Sequence, residues 1–119
     1  MGATYKFRCN RCSLTAEVSG GPSGGMTFST ETMWCKTCRS LRDIKVANEE
    51  PWSEREGAPP LPTDPSLHEL AKRLYRVRVP VEPRCHHCNG TALIQWTRRD
   101  PCPLCGSPVE RGELSRLWD

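Results

Sequence analysis

The sequence has few of the large apolar side chains from which a hydrophobic core is built. Its hydrophobic share is 36% including cysteine, against roughly 45 to 50% in typical domains. It has only two Phe, two Tyr and three Met, whereas it has 11 Pro and 9 Gly. A chain of 119 residues with this composition either stays partly disordered or is held together by cross-links.

Long apolar runs are also missing. No stretch approaches the ~18 apolar residues of a membrane-spanning helix, and the first residues are not followed by the apolar run of a secretory signal. Lys6 occupies the position where an N-myristoylation signal needs Ser or Thr. We therefore expect a cytoplasmic protein in a reducing compartment, with no membrane association.

The signatures of catalysis are equally scarce. The chain has no Ser/His/Asp ordering, no phosphate-binding loop and no open metal set of histidines and carboxylates. Thiol–disulfide chemistry at a C-x-x-C motif usually needs a thioredoxin-like sheet, for which the chain has no room. We expect no enzymatic activity, no catalytic residue and no small-molecule substrate.

Cysteine, in contrast, is abundant and regularly spaced. The eight cysteines form four C-x-x-C pairs, Cys9/Cys12, Cys35/Cys38, Cys85/Cys88 and Cys102/Cys105. In a reducing compartment such pairs are typical of thiolate metal ligands. Two pairs can place four sulfurs tetrahedrally around one ion at ~2.3 Å, with no position left for water. We therefore predict two structural Zn2+ ions per chain, bound by all eight cysteines.

The assignment of pairs to ions is a second prediction. We expect sequential pairing, with Cys9 to Cys38 on one ion and Cys85 to Cys105 on the other. The 46 residues between Cys38 and Cys85 make any other pairing costlier in loop-closure entropy. A crossed arrangement, with the first and third pairs on one ion, is the alternative. His86 and His87 lie inside the third pair and are expected to be exposed.

Two of the cysteine motifs resemble the zinc-ribbon superfamily. These are CHHCNG at residues 85–90 and CPLCG at residues 102–106, with CNRC at 9–12 and CKTC at 35–38 as a looser match. The resemblance implies a small antiparallel sheet clamped by zinc on four cysteines and used to bind nucleic acid or protein. The CPLCG motif is also similar to a rubredoxin knuckle, but residues 85–88 depart from that pattern. Gly106 and Asn89-Gly90 suit the positive φ that closes such turns.

Charge divides the chain in the same way as the cysteines. Residues 1–48 have seven basic and three acidic side chains. Residues 49–70 have one basic and six acidic side chains, and residues 71–119 have nine basic and five acidic ones. We predict a small, metal-stabilised, mainly β fold. Its parts are a zinc ribbon in 1–48, an acidic Pro-rich linker in 49–63, an amphipathic helix in 64–78 and a second zinc ribbon in 79–119. In the first ribbon a glycine-rich tip joins strands at 14–18 and 26–34 into a hairpin, and the second ribbon contains a strand at 91–96.

The predicted helix begins with Asp64 as N-cap and Pro65 at its first position. Its apolar face consists of Leu67, Leu70, Ala71, Leu74 and Val77. We expect this face to pack on a ribbon. A helix that binds a partner or dimerises is the alternative.

Two sets of side chains are candidate interfaces. Basic residues near the cysteines either contact phosphates of nucleic acid or offset the charge of -2 on each four-thiolate zinc site; they are Arg8, Arg11, Lys36, Arg39, Arg42, Arg98 and Arg99. Candidate contacts to a protein partner are Trp52, Leu67, Leu70, Leu74 and Trp118. For the two tryptophans the alternative is an anchor that docks within the chain. Trp34 and Trp96 are expected in small cores beside the metals.

These features favour a non-enzymatic zinc-binding adaptor that acts in protein–protein interaction. A nucleic-acid-binding accessory protein is one alternative, with contacts through the basic cysteine turns. A thiol redox or zinc-responsive switch is another.

Overall fold

Within residues 2–118, the part of the chain described by the computed structural model, eight strands and one short α-helix are present. The strands are β1 (Gly2–Cys9), β2 (Thr15–Val18), β3 (Ser23–Gly24), β4 (Phe28–Cys35), β5 (Ser40–Pro51), β6 (Arg76–Pro80), β7 (Leu93–Gln95) and β8 (Val109–Trp118). A 3-10 turn (Pro65–Leu67) leads into helix α1 (His68–Leu74). The prediction of a small, mainly β fold is confirmed.

The strands form two antiparallel sheets. The first sheet has the order β2-β1-β8, so the two ends of the chain are neighbours in it. The second sheet has the order β3-β4-β5-β6, and β7 pairs with β4. The second sheet is therefore formed by the middle of the chain and the first sheet by its ends.

The predicted hairpin between residues 14–18 and 26–34 is wrong, because these segments lie in different sheets. β2 pairs with β1 across the turn that contains the first cysteine pair, and β4 pairs with β5 across the turn that contains the second pair. Both pairings join neighbours in sequence through a short turn, which is the usual preference. The glycine-rich segment at 20–25 crosses from one sheet to the other. The strand predicted at 91–96 is present as β7.

The two sheets share one hydrophobic core. Phe7 and Val18 come from the first sheet, and Trp34 and Leu41 from the second. Trp96, at the end of β7, contacts Phe7 edge to face, with ring centroids 5.5 Å apart and ring planes at 87°. The expected packing role of both tryptophans is confirmed, but they belong to a joint core and not to two separate ones.

A hydrogen-bond network around Asp43 also connects the sheets. The backbone N–H of Ser19 donates to both carboxylate oxygens of Asp43, at 3.1 and 2.9 Å, and the Ser19 hydroxyl donates at 2.9 Å. The hydroxyl of buried Thr32 donates to Asp43 at 2.7 Å and accepts from the N–H groups of Gly20 and Gly21. Hydrogen bonds to a charged acceptor are among the stronger ones in proteins. The sequence pattern gave no sign of this network.

The acidic segment is folded back on itself in the structure. β5 extends to Pro51, and the indole N–H of Trp52 donates to the Pro59 carbonyl at 3.0 Å. The ammonium group of Lys72 lies 5.7 Å from the centre of the Trp52 ring, a cation–π distance. Trp52 thus connects the loop to α1 within the molecule.

The helix is shorter than predicted. Asp64 caps the 3-10 turn by accepting from the Ser66 N–H, and Pro65 follows it, as expected. The helix ends at Leu74 because residues from Arg76 onward pair with β5 as β6, in which Val77 is buried. Ala71 is the one buried residue of α1. The expectation that the leucines pack on a ribbon is wrong, since Leu67, Leu70 and Leu74 are exposed.

The last residues of β8 dock on the second sheet. The indole ring of Trp118 stacks on Phe28 of β4, with centroids 5.0 Å apart and an interplanar angle of 11°. Trp118 also covers Gly2, where a Cβ atom would collide with the indole. Trp118 therefore acts as an anchor within the molecule.

We predict that Asp43→Asn lowers the free energy of unfolding by about 2 kcal/mol, because an amide group replaces an oxygen that accepts from partly buried donors. Denaturant unfolding of the metal-loaded protein measures the change. Asp100→Asn is the control. Asp100 accepts from the Thr97 N–H and hydroxyl in an exposed turn, so about 0.5 kcal/mol is expected. Equal losses in the two variants would contradict a special role for Asp43.

Candidate metal centres

All eight cysteines are free thiols and fall into two groups of four. The inner site consists of Cys35, Cys38, Cys85 and Cys88. The outer site consists of Cys9, Cys12, Cys102 and Cys105. The predicted sequential pairing is wrong, and so is the crossed alternative. The pairs are nested, the second with the third and the first with the fourth.

The inner site lies where the β4–β5 hairpin turns. Cys35 ends β4, and the Arg39 N–H donates to the Cys35 carbonyl at 2.8 Å. The second turn has the same form, with the Asn89 N–H donating to the Cys85 carbonyl at 2.7 Å. Arg39 and Asn89 both adopt positive φ, 53° and 58°. The role expected for Asn89 is confirmed, and Arg39 adopts the same conformation despite its side chain.

The outer site is built from two less similar turns. Cys9 ends β1, and its N–H donates to the Leu14 carbonyl at 3.0 Å, which closes the β1–β2 hairpin. In the other turn the Gly106 N–H donates to the Cys102 carbonyl at 2.8 Å, and Gly106 has the expected positive φ, 77°. Because β1 pairs with β8, the first and the fourth cysteine pairs lie at the same end of one sheet.

The sulfur positions fit a tetrahedral ion. In the outer site, Sγ of Cys9 lies 3.5 Å from that of Cys105, and Cys12 and Cys102 have the same separation. In the inner site the corresponding distances are 3.7 Å for Cys35 to Cys88 and 3.8 Å for Cys38 to Cys85. A tetrahedron with metal–sulfur bonds of about 2.3 Å has edges of about 3.8 Å, whereas a disulfide bond is about 2.05 Å. Both groups therefore have the dimensions of a four-thiolate metal site.

The thiols of each site are unequal in acidity. The hydroxyl and backbone N–H of Ser107 lower the pKa of Cys105 from 9.0 to about 6. Burial raises the pKa of Cys85, but the N–H groups of Cys88 and His87 and the neighbouring sulfurs together outweigh it and lower the pKa to about 6. Each site thus has one sulfur that ionises readily.

A second thiol in each site has a raised pKa. The Leu14 N–H lowers the pKa of Cys12, but burial and the neighbouring sulfurs outweigh it and raise the pKa to about 12. Burial and the other three sulfurs raise the pKa of Cys38 to about 12. Four thiolates cannot share such a space unless a cation offsets their repulsion. This electrostatic conflict is what a bound metal relieves.

The histidines near the inner site take no part in it. His86 and His87 are exposed at the tip of their turn, as expected. Among residues 2–118 neither metal-binding group includes a histidine or a carboxylate. The donor set is sulfur alone.

Four of the seven basic residues singled out from the sequence lie beside the two sites. Arg8 and Arg11 are exposed beside the outer site, and Lys36 and Arg39 beside the inner one. Arg98 and Arg99 are exposed in the turn after β7. Arg42 differs because it is half-buried in β5, and its Nε has no hydrogen-bond partner.

Across residues 2–118 no helix is long and apolar enough to cross a membrane. Comparisons with protein-family models, with curated proteins and with solved structures gave no match.

The nested grouping predicts how pairs of substitutions combine. Cys9→Ser with Cys105→Ser removes two ligands from the outer site, so one metal ion per chain should be lost and one kept. Cys85→Ser with Cys105→Ser removes one ligand from each site, so both ions should bind weakly and be lost on gel filtration against a mild chelator. Elemental analysis of the purified proteins measures this. Sequential pairing would give the opposite result for the two variants.

Ser107→Ala should make the outer site release its metal at higher pH. Without the Ser107 hydroxyl, the pKa of Cys105 moves up from about 6 toward 9.0, by roughly 0.5 to 1 unit for one hydrogen bond. Protons compete with the metal for thiolates, so a site in which one ligand has a higher pKa loses its metal at a higher pH. A chromogenic chelator follows the release midpoint. Ser13→Ala, at an exposed position after Cys12, is the control, and equal midpoints for the two variants would refute the role of Ser107.

Proposed function

We propose that this chain is a non-enzymatic zinc-binding adaptor of the cytoplasm, with two structural four-cysteine sites, that acts by binding protein. Zinc suits both sites because it prefers tetrahedral thiolate coordination and has no redox chemistry of its own. The inner and outer site each resemble a zinc ribbon, in which a hairpin turn and a second cysteine turn clamp one ion. In this proposal the ions stabilise the fold, and exposed side chains bind the partner.

The single observation that carries the binding function is the exposure of the leucines at α1. Three leucines of a short helical segment face solvent. Ala71, at the edge of the same face, is buried against the molecule, and Lys72 on the other side contacts Trp52. We call Leu67, Leu70 and Leu74 the leucine stripe. Contiguous apolar surface of this kind, on a chain with so few large apolar residues, is typical of a protein-binding site.

Nucleic-acid binding is the second candidate function. It is favoured by the exposure of Arg8, Arg11, Lys36, Arg39, Arg98 and Arg99 around the two sites. Against it, each four-thiolate zinc site carries a charge of -2, which these side chains offset in part. Binding of this type would depend steeply on salt.

Capture from the native cell separates the two functions. The zinc-loaded full chain is used as bait in nuclease-treated extract, next to a variant with Leu67→Ser, Leu70→Ser and Leu74→Ser. We expect a protein bound by the wild type and lost from this variant, because the stripe supplies the apolar contacts. The control carries Leu114→Ser and Leu117→Ser, at exposed leucines of β8, and should retain the partner.

Two outcomes would contradict the adaptor function. Capture seen only in a parallel extract without nuclease, or lost with Arg98→Glu and Arg99→Glu, would assign the chain to nucleic acid. Equal loss in the stripe variant and in the β8 control would mean that the chain binds through general hydrophobicity.

A further inference from the structure

One short segment of the chain connects the two metal sites. It consists of the 13 residues between Cys88, a ligand of the inner site, and Cys102, a ligand of the outer site. We call residues 89–101 the connecting segment. It contains β7, a strand of 3 residues, and so short a strand is stable only when it is paired. The order of the connecting segment therefore depends on what holds its two ends.

The inner site holds the first part of the connecting segment. β7 pairs with β4 as far as the first inner ligand, so that Leu93 lies opposite Cys35. The Lys36 N–H, inside the inner cysteine turn, donates to the Ala92 carbonyl at 2.9 Å. An ion that fixes Cys35 and Cys88 therefore also fixes the strand on which β7 docks.

The side chain of Trp96 joins the second part of the segment to the outer site. Its indole N–H donates to the carbonyl of Pro101, the residue before Cys102, at 3.0 Å. Its ring contacts Phe7, two residues before Cys9, edge to face. Trp96 is 3% exposed and shares one buried cluster with Cys9 and Cys102. The two halves of the outer site therefore meet at this side chain.

We propose that Trp96 couples the two metal sites, so that the chain binds its two ions cooperatively. The first ion orders the connecting segment and docks Trp96, at a cost in conformational entropy. The second ion binds to a segment that is already ordered, so a smaller entropy loss opposes it. Linkage requires each ion to strengthen the binding of the other by the same factor. The inference concerns the metal sites and does not depend on the adaptor function.

Three zinc titrations of the full chain measure the coupling, with Zn2+ alone as ligand and a chromogenic chelator as competitor. The first uses the wild type. The second uses a variant without the outer site, Cys9→Ser with Cys105→Ser, and the third a variant without the inner site, Cys35→Ser with Cys88→Ser. The coupling factor is the wild-type constant for binding both ions, divided by the product of the constants of the two single-site variants. We expect a factor of about 10 to 100.

A factor of this size is small beside the affinity of a structural zinc site. A single-site variant should therefore keep its remaining ion during purification, and its binding constant can be measured.

A substitution of Trp96 tests the route of the coupling. Trp96→Phe keeps an aromatic ring against Phe7 but removes the donor to the Pro101 carbonyl, so the coupling factor should fall about fivefold. Trp52→Phe is the matched control. The Trp52 indole also donates to a proline carbonyl, that of Pro59, at 3.0 Å, but it lies in the loop before α1 and not in the connecting segment. This control should leave the coupling factor unchanged.

The single-site variants separate coupling from general destabilisation. Trp96→Phe is added to each of them, and the constant for the remaining ion is measured again. Coupling predicts a loss only in the two-ion constant of the complete chain, whereas general destabilisation would weaken the single-site variants to the same extent. NMR dispersion shows which variants keep the fold. Should the variant without the inner site not fold, Trp96→Phe must still lower the two-ion constant and leave the variant without the outer site unchanged.

Three results would overturn the proposal. These are a coupling factor of one, equal factors for Trp96→Phe and Trp52→Phe, or a loss from Trp96→Phe that is as large in the single-site variants. Two ions bound independently would refute the coupling and leave both metal sites standing. Fewer than two ions per wild-type chain would refute the metal sites themselves.

Discussion

The structure depends on the meeting of four sulfur atoms that come from the two ends of the chain. Cys12 and Cys102 are 90 positions apart, yet their sulfurs lie in one group. This closure brings β1 beside β8, and the Trp118 ring then reaches Phe28 on the other sheet. Because the chain has few large apolar residues, a cross-link at this point adds a large part of the stability that a small domain needs. A metal bound by the outer site would connect the first cysteine pair to the fourth and so hold β1 beside β8.

The nested arrangement is possible because loop-closure entropy rises slowly with length. Joining Cys12 to Cys102 instead of Cys35 costs only about 1.2 kcal/mol more in an unstructured chain. Closure of the inner site reduces this entropy cost further, because residues 35–88 are then ordered and the loop between Cys12 and Cys102 has fewer flexible residues. Pairing of β1 with β8 and burial of Phe7 against Trp96 outweigh such a difference. A rule based on the nearest cysteine pair therefore fails here.

The same scarcity of apolar residues makes the polar contacts between the sheets important. Asp43 and Thr32 take the place that larger hydrophobic side chains would have in an ordinary core, and their hydrogen bonds fix the crossing segment at Gly20 and Gly21. Apolar side chains are used beside the metal sites, and yet three leucines are left exposed at α1. Their exposure is the observation on which the proposed binding function rests.

The amino-acid sequence by itself determined the ligand type, the number of four-cysteine groups, the local turns and the cap at Asp64. These features depend on residues close together in the chain, such as the two-residue spacing between cysteines or the positive φ of Gly106 and Asn89. Only the tertiary structure decided which cysteine pairs share a site, which strands are neighbours and where the leucines face. Those choices depend on β-pairing and core contacts between segments that are distant in sequence, such as β1 with β8, whose free energies no local pattern contains.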